Sequence, residues 1–140
     1  MAVKDTMTRI VVTALPDTSV EDAARMMKQH KIGFLPVEDS NREIRGVITD
    51  RDIAVRLVAE GLNARETRVR QVMTAPAVYC FEDQDLEDAC LQMADTGLRR
   101  FLVYDRSRNL TGVLSLDDVA VKTAKEKLSG HVLRKIATTA

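Results

Sequence analysis

Two short segments of the sequence contain side chains whose types and spacing could bind a ligand. The segments read GVITDRDI and GVLSLDDV, so in each a hydroxyl residue precedes an aspartate by three positions. These pairs are Thr49 with Asp52 and Ser115 with Asp118. A carboxylate can accept two hydrogen bonds from the vicinal hydroxyls of a ribose, and a hydroxyl can contact a phosphate or a sugar. The spacing therefore indicates a ribose-binding site.

The same residues also have a purely structural interpretation. A hydroxyl residue three positions before an acid is the pattern of a helix capping box, in which each side chain accepts a backbone N–H of the other residue. Both segments fit this pattern. The glycines of the two segments, Gly46 and Gly112, are explained by a close backbone approach or a bulge. The sequence leaves the structural and the ligand-binding interpretations open.

Positive charge accompanies both segments. A strand that ends at a helix N-terminus presents free backbone N–H groups and the positive end of the helix dipole, which favour a phosphate. Arg51 lies inside the first segment, and Arg56 and Lys122 follow the two aspartates by about one helical turn. We expect these cations to contribute to a local anion site.

The overall charge argues against a polyanionic partner. Lys plus Arg and Asp plus Glu both count 21, so the formal net charge is zero and no overall field attracts nucleic acid or an anionic membrane. Nucleic-acid binding would depend on local arginines, namely Arg65, Arg68, Arg70, Arg99 and Arg100. No stretch approaches the roughly 18 apolar residues of a membrane span, and the N-terminus lacks the apolar run of a signal peptide. We expect a cytoplasmic protein with no membrane partner.

The two segments belong to a repeat that covers most of the chain. They stand 66 positions apart, and at this shift residues 3–55 align with residues 69–121 without a gap. An ungapped repeat of this length predicts two copies of one structural unit. A lone copy of about 60 residues would be marginally stable, so we expect the two copies to share a core.

Each copy is predicted to form the element order β-α-β-β-α. The apolar residues of TSVEDAARMMKQHKIG follow helical spacing, and FLPVED and EIRGVIT are β-prone runs joined by a polar turn. A second helix follows each hairpin, from Asp50 to about Glu60 and from Leu116 to about Lys127. A short strand precedes the first helix of each copy, near Ile10 to Thr13 and near Ala77 to Cys80. The helix face expected in the core carries Val20, Ala23, Ala24 and Met27 in the first copy and Leu86, Ala89, Cys90, Met93 and Gly97 in the second.

The repeat divides the chain into four segments. Residues 1–61 form the first copy, residues 62–68 the polar linker, residues 69–127 the second copy and residues 128–140 a tail. The apolar residues of the tail have helical spacing, which predicts a helix that docks on the module or on a partner.

The chain resembles a tandem pair of CBS domains, the modules named after cystathionine β-synthase. The resemblance rests on VMTAPAVYC, HKIGFLPVED, GLRRFLVYD and the two segments described first, and it covers about residues 3–121. It implies an α/β fold of the α+β type, with two β-α-β-β-α repeats packed through their β-sheets as a pseudo-twofold pair. In this family the G-h-h-[ST]-x-x-D segment is the usual signature of an adenosine ligand.

The resemblance also implies two clefts between the repeats, each of which borrows residues from both copies. Ser115 and Asp118 are expected to work with Val12, Ile32, Gly33 and Phe34. Thr49, Arg51 and Asp52 are expected to work with Val78, Leu98, Arg99 and Arg100. Adenine would lie between aliphatic side chains, ribose at the aspartate and phosphates at the arginines or lysines. The implied ligand is regulatory and is an adenine nucleotide such as AMP, ADP or ATP, or S-adenosylmethionine.

Several positions depart from the family pattern, among them Leu102, which replaces a frequent proline and is expected to be tolerated because its counterpart Pro36 lies at a strand start. Phe34 stands where a smaller residue is common, so its ring could stack on adenine or plug the cleft. Asp117 stands where the first copy has Arg51, so the second site has gained an acid that should disfavour a triphosphate. We therefore expect the Arg51 site to be the better one for a charged nucleotide.

The leading functional prediction is a stand-alone regulatory or energy-sensing module whose output passes through an effector protein that the sequence does not name. The alternative is an interaction or dimerisation module whose clefts stay empty. An enzyme is disfavoured because no nucleophile is assembled with a base. A metal site is disfavoured because His30 and His131 have no ligand cluster beside them. Cys80 and Cys90 align with alanines of the first copy and are expected to be small core residues.

We also predict a homodimer. The second helix of each copy carries more apolar surface than one small module can bury. The family resemblance implies two chains joined through these helices as a flat disc. The residues expected in the interface are Ile53, Ala54, Leu57, Val58, Val119, Ala120 and Ala124.

Overall fold

The computed structural model of the chain describes residues 1–9 and 12–139. The chain forms two compact units. The central unit is Val12–Ala77. The terminal unit consists of the described residues on either side of it. The predicted mixed α/β fold is confirmed.

The central unit contains a two-stranded hairpin with helices. Strands β2 (Phe34–Glu38) and β3 (Ile44–Thr49) pair antiparallel, with Phe34 opposite Thr49. Ala14 adds a parallel bridge to Val37. A π-helical segment, Ile53–Val58, continues directly from the helix that follows the hairpin. The elements are α1 (Val20–His30), β2 (Phe34–Glu38), β3 (Ile44–Thr49), α2 (Asp50–Asp52) and α3 (Val69–Val72).

The terminal unit contains a four-stranded sheet, whose strands in spatial order are β1 (Thr8–Arg9), β6 (Leu110–Ser115), β5 (Arg100–Tyr104) and β4 (Tyr79–Phe81). Its edge strand β4 runs parallel to β5, whereas the other neighbours are antiparallel. A 3₁₀ turn, Val3–Asp5, precedes the first strand. The elements are β1 (Thr8–Arg9), β4 (Tyr79–Phe81), α4 (Leu86–Thr96), β5 (Arg100–Tyr104), β6 (Leu110–Ser115), α5 (Leu116–Lys122) and α6 (Glu126–Thr139).

The units do not follow the boundaries of the sequence copies. The central unit ends with residues 69–77, which begin the second copy, and the terminal unit includes residues 1–9, which precede or begin the first. We call residues 69–77 and residues 1–9 the crossing segments. Each of them pairs with the strand that contains the repeated motif of its unit, since Thr74 pairs with Val47 and Thr8 with Val113. A Cβ atom at Gly46 would lie 2.4 Å from the Thr74 carbonyl oxygen, and one at Gly112 would lie 2.6 Å from the Thr8 carbonyl oxygen. The close backbone approach predicted for these glycines is confirmed.

The buried apolar residues form two clusters, one in each unit, and not the single shared core that the sequence suggested. Both clusters nevertheless contain residues of both copies. Val69 and Val72 of the second copy enter the central cluster, and Val3 and Met7 of the first copy enter the terminal one. A crossing segment therefore supplies part of the hydrophobic core that each unit needs for stability.

The tail makes the two units different. Helix α6 packs against α4 and buries Val132 and Ile136, and Cys90 of α4 is fully buried in the same cluster. Its counterpart Ala24 is exposed on α1, so the prediction that Ala24 enters the core is wrong. The difference arises because the sequence places an amphipathic tail after the second copy, where it covers α4.

Several predicted element boundaries differ from the structure. The first strand lies at Thr8–Arg9, before the predicted Ile10 to Thr13, of which Ile10 and Val11 are outside the described residues. The last helix of the second copy ends at Lys122, because Thr123 is extended and its Oγ1 accepts the N–H of Lys125 at 3.2 Å.

The predicted dimer surface is smaller than expected. Leu57 and Val119 are 3% and 0% exposed, because each packs into the core of its own unit. Both are therefore removed from the set of candidate interface residues. In residues 1–9 and 12–139, no helix combines the length and the apolar composition needed to cross a membrane.

Candidate functional site

Both repeated segments end a strand and begin a helix, and both capping boxes are formed. Thr49 Oγ1 accepts the N–H of Asp52 at 3.0 Å, and the Asp52 carboxylate accepts the N–H of Thr49 at 3.0 Å. The corresponding distances for Ser115 and Asp118 are 3.0 and 3.4 Å. Each hydroxyl and each carboxylate therefore has a structural role before any ligand binds.

Each aspartate also accepts a hydrogen bond from the crossing segment of its unit. Thr74 Oγ1 lies 3.0 and 3.2 Å from the two carboxylate oxygens of Asp52. Thr8 Oγ1 lies 3.0 and 3.1 Å from those of Asp118. The two threonines are themselves 66 positions apart, so the contact is repeated with the fold. Sequence reasoning missed this role, although the identity of Thr8 and Thr74 in the repeat was a visible signal.

The cations one turn beyond the aspartates are held by the same segments. Arg56 Nη1 donates to the carbonyl oxygens of Val72 and Met73 at 3.1 and 2.8 Å and lies 3.6 Å from Asp52. Lys122 Nζ lies 3.1 Å from Asp118 and donates to the Thr6 carbonyl at 3.3 Å. Both cations therefore already have partners within their own units, and their contribution to a phosphate site stays a prediction. The two cations lie beside the aspartates and also bind the backbone of the crossing segments.

The first residues of β2 and β5, and the residues just before them, lie beside the motif of their own copy. Phe34 is opposite Thr49, and the N–H of Asp50 donates to the carbonyl of Gly33 at 3.0 Å. Arg100 is likewise opposite Ser115. The N–H of Leu116 donates to the carbonyl of Arg99 at 2.9 Å. The expected pairing of each motif with residues of the other copy stays a prediction.

Three of the apolar residues named as adenine contacts are partly exposed. Ile32 and Val78 are each 38% exposed and Leu98 is 39% exposed. Val12 packs against the central core and is half-buried. Exposed aliphatic side chains of this kind can cover the faces of a flat aromatic ring, because such a contact removes apolar area from water.

The charged surroundings of the two motifs differ. In the terminal unit, a depression of about 150 Å³ is lined by Arg99, Arg100, Ser115 and Asp117. The central unit has Gly33, Phe34, Thr49 and Arg51 at the corresponding positions. Gly33 lies against a carboxylate there, since a Cβ atom on it would be 2.5 Å from Asp50 Oδ2. Arg51 is exposed, so its guanidinium is placed on the surface next to the motif.

The arginines that could contact nucleic acid are mostly engaged with acidic residues. Arg65 pairs with Glu21 at 2.9 Å, and Arg70 pairs with Asp17. Arg68 donates to the Asp17 carbonyl at 3.3 Å. These contacts offset part of the local positive charge that a phosphate backbone would require.

The cysteines lie away from the motifs, in the core of the terminal unit. Cys80 is 2% exposed and Cys90 is 0% exposed, and both are free thiols. Burial raises the pKa of Cys80 to about 12, and the neighbouring Cys90 adds to this shift. Burial also raises the pKa of Cys90 to about 11. Neither thiol is activated as a nucleophile, because the reactive thiolate is disfavoured. The prediction that both are small core residues is confirmed.

A family model described as the CBS domain matches residues 3–59 and residues 69–124. The chain belongs to the CBS domain family. The two matches coincide closely with the two sequence copies. The tandem pair that the repeat predicted is therefore confirmed.

Similar proteins extend this assignment to the whole chain. The CBS domain-containing protein YhcV of Bacillus subtilis is 38% identical over 136 residues, which cover 97% of this chain and 95% of YhcV. The crystal structure of the CBS domain protein TA0289 from Thermoplasma acidophilum superimposes with a TM-score of 0.87 at 25% identity. It covers 99% of this chain and 77% of TA0289.

A further solved structure contains adenosyl ligands. The CBS domain pair of protein MJ0100, in complex with 5′-methylthioadenosine and S-adenosyl-L-methionine, has a TM-score of 0.76 and 25% identity. The match covers 86% of this chain and 93% of that one. Enzymes among the relatives are much longer, since the match covers 21–23% of their length. In those enzymes the similarity is confined to a minor part of the protein.

Proposed function

We propose that this CBS pair is a regulatory module, rather than an enzyme, and that it binds an adenine nucleotide or another adenosyl compound at its two repeated motifs. The main support is that each unit contains a hydroxyl residue paired with an aspartate, Thr49 with Asp52 and Ser115 with Asp118. Each unit also has partly exposed aliphatic side chains, namely Ile32 in the central unit and Val78 and Leu98 in the terminal unit. The complex of the MJ0100 pair with two adenosyl compounds supports this ligand class.

The aspartates would hold the ribose. The single hydroxyl proton of Thr74 is shared between the two Asp52 oxygens, and the Thr49 N–H uses one further acceptor position. A carboxylate has about four acceptor positions, so two vicinal ribose hydroxyls could still be accommodated. Asp52 is 7% exposed, so the ribose would have to contact the small part of the carboxylate that remains accessible. Arg51 would then be available for a phosphate.

Titration of single variants tests this function. We expect Asp52→Asn or Asp118→Asn to weaken the affinity for at least one of AMP, ADP, ATP and S-adenosylmethionine by roughly ten- to a hundredfold, because a charge-assisted hydrogen bond contributes about 1.5–3 kcal/mol. Isothermal titration calorimetry measures the affinities, and Asp95→Asn on the exposed face of α4 is the matched control. Tight binding by the wild type that neither variant changes would remove the aspartates from the site.

A second candidate function follows from the hydrogen bonds that both aspartates already accept within the protein. Because capping and the crossing threonines already use both carboxylates, a ligand-free interaction module would also need these residues. In that case no adenosyl compound should bind at millimolar concentration, and both Asp→Asn variants should change stability alone. The same titration therefore separates the two functions. In either case we propose that the output passes through a second protein.

A further inference from the structure

The two copies differ most in the side chains around the hydroxyl residue of the motif. The depression in the terminal unit is lined by two guanidinium groups and one carboxylate, from Arg99, Arg100 and Asp117. The central unit has no guanidinium at the positions that correspond to Arg99 and Arg100, and it has Arg51 in place of the acid. The acid beside the central motif is Asp50, which lies against Gly33. The two sites therefore hold their charges at different positions, and such sites select ligands differently.

We infer that the depression in the terminal unit receives the 5′ substituent of an adenosyl ligand and selects a zwitterionic amino-acid group over a polyphosphate. This inference rests on the proposed function and names the ligand class at one of its two motifs. The carboxylate of the ligand would lie at the arginines and its ammonium group at Asp117. Arg99 and Asp117 would be the residues that determine specificity.

The ion pair between these two residues is open enough to accept such a group. Arg99 Nη2 and Asp117 Oδ1 are 3.8 Å apart, which is longer than a hydrogen bond. Their side chains are 55% and 75% exposed, so both can change rotamer at little cost. An arginine can bind a carboxylate through two parallel N–H groups, and a carboxylate can accept from an ammonium group. A zwitterion would therefore replace one loose ion pair with two closer ones.

A polyphosphate would meet an unfavourable charge in the same place. Asp117 follows Ser115 by two positions and lines the same depression, so each added phosphate charge would come close to its carboxylate. Like charges within about 4–6 Å disfavour the charged state of both groups. The arginines compensate for this repulsion in part, and a carboxylate with its own ammonium group avoids it.

The decisive comparison uses two ligands that differ only at the amino-acid end. S-adenosylhomocysteine and 5′-methylthioadenosine share the adenosine and the thioether, but only the first has a carboxylate and an ammonium group. We expect the wild-type chain to bind S-adenosylhomocysteine at least tenfold more tightly in calorimetric titrations. Asp117→Asn and Arg99→Gln should each lower this affinity ratio by about tenfold. Asp117→Arg, which installs the residue of the first copy, should also raise the affinity for ATP.

The outcomes separate this inference from the proposed function. Equal affinities for the two thioethers would overturn the inference, while their dependence on Asp118 would leave the proposed function standing. A ratio that Asp117→Asn and Arg99→Gln do not change would place the recognition elsewhere and would also overturn it. If no adenosyl compound binds, both fail together. Asp95→Asn is the control for a neutralised surface acid, and circular dichroism verifies that each variant is folded.

Discussion

At the scale of single residues, the two motif aspartates join parts of the chain that are distant in sequence. Asp52 contacts Thr74, 22 positions away, and Asp118 contacts Thr8, 110 positions away. Each carboxylate thereby connects a helix start with a crossing segment, and Arg56 or Lys122 adds a cation to the same group. A ligand that hydrogen-bonds to the aspartate would act directly on this connection. Binding could thus alter how firmly a crossing segment is held.

Thr74→Val tests the strength of this connection. Valine keeps the shape of threonine but leaves the nearly buried Asp52 carboxylate without one donor, which should lower the free energy of unfolding by about 1–3 kcal/mol. Thr8→Val should have a smaller effect, because the side chain of Asp118 is 14% exposed, compared with 9% for Asp52, and retains a lysine at 3.1 Å. Urea denaturation measures both. Thr138→Val, whose hydroxyl bonds within α6, is the control. Equal losses in all three variants would show that the threonine contacts have no special role.

The sequence could predict the local half of this arrangement. The three-residue spacing of Thr49 and Asp52 reports a capping box, because both partners lie in one helical turn. The partner Thr74 could not be assigned, since nothing in the spacing states which segment crosses β3. Gly46 hinted at a crossing backbone, because a residue without a Cβ atom is needed there. The glycine does not identify which segment of the chain lies against it.

At the scale of secondary structure elements, the repeat lets one copy serve as a control for the other. Helices α1 and α4 have 11 residues each, and each ends at a residue in the left-handed conformation. That residue is Gly97 after α4, with a φ of 70°, but it is Lys31 after α1, with a φ of 56°. A side chain in this conformation is strained by roughly 1–2 kcal/mol, whereas glycine adopts it without cost.

Lys31→Gly is therefore expected to stabilise the protein. The gain should be about 0.5–1 kcal/mol, because the relief of strain is partly offset by the greater entropy of glycine in the unfolded chain. The matched control is Lys28→Gly inside the same helix, which should destabilise by about 1 kcal/mol. Thermal unfolding followed by circular dichroism gives both values. A loss of stability on Lys31→Gly would mean that the lysine side chain makes a favourable contact that exceeds the strain.

At the scale of the whole molecule, the tandem repeat was the most informative feature of the sequence. It predicted two β-α-β-β-α copies because an ungapped shift keeps the helices, strands and turns of the two copies aligned, as for Phe34 and Arg100 at the start of each hairpin. It did not predict that each compact unit would exchange its first segment with the other copy. Val69 and Val3 are equivalent in sequence, and either copy could have buried them. The choice between these two arrangements depends on contacts far apart in the chain, which periodicity does not report.

The predicted homodimer requires exposed apolar residues on the second helix of each copy. Of the residues predicted for the interface, Val58 is 67% exposed. Val55 and Val121, which occupy equivalent positions in the two copies and were not among those residues, add exposed apolar surface to the same helices at 47% and 83% exposure. Burial of a valine side chain contributes about 1.5–3 kcal/mol, and a twofold interface buries each residue twice. We therefore expect Val55→Glu or Val121→Glu to weaken dimerisation by at least a hundredfold, which light scattering at tens of micromolar would detect as a shift from dimer to monomer. Leu133→Glu, at a residue that is 46% exposed on α6, is the control and should leave the dimer intact. A wild-type monomer at these concentrations would contradict the predicted dimer. If the dimer persists in both valine variants but dissociates in Leu133→Glu, its interface lies on α6 instead.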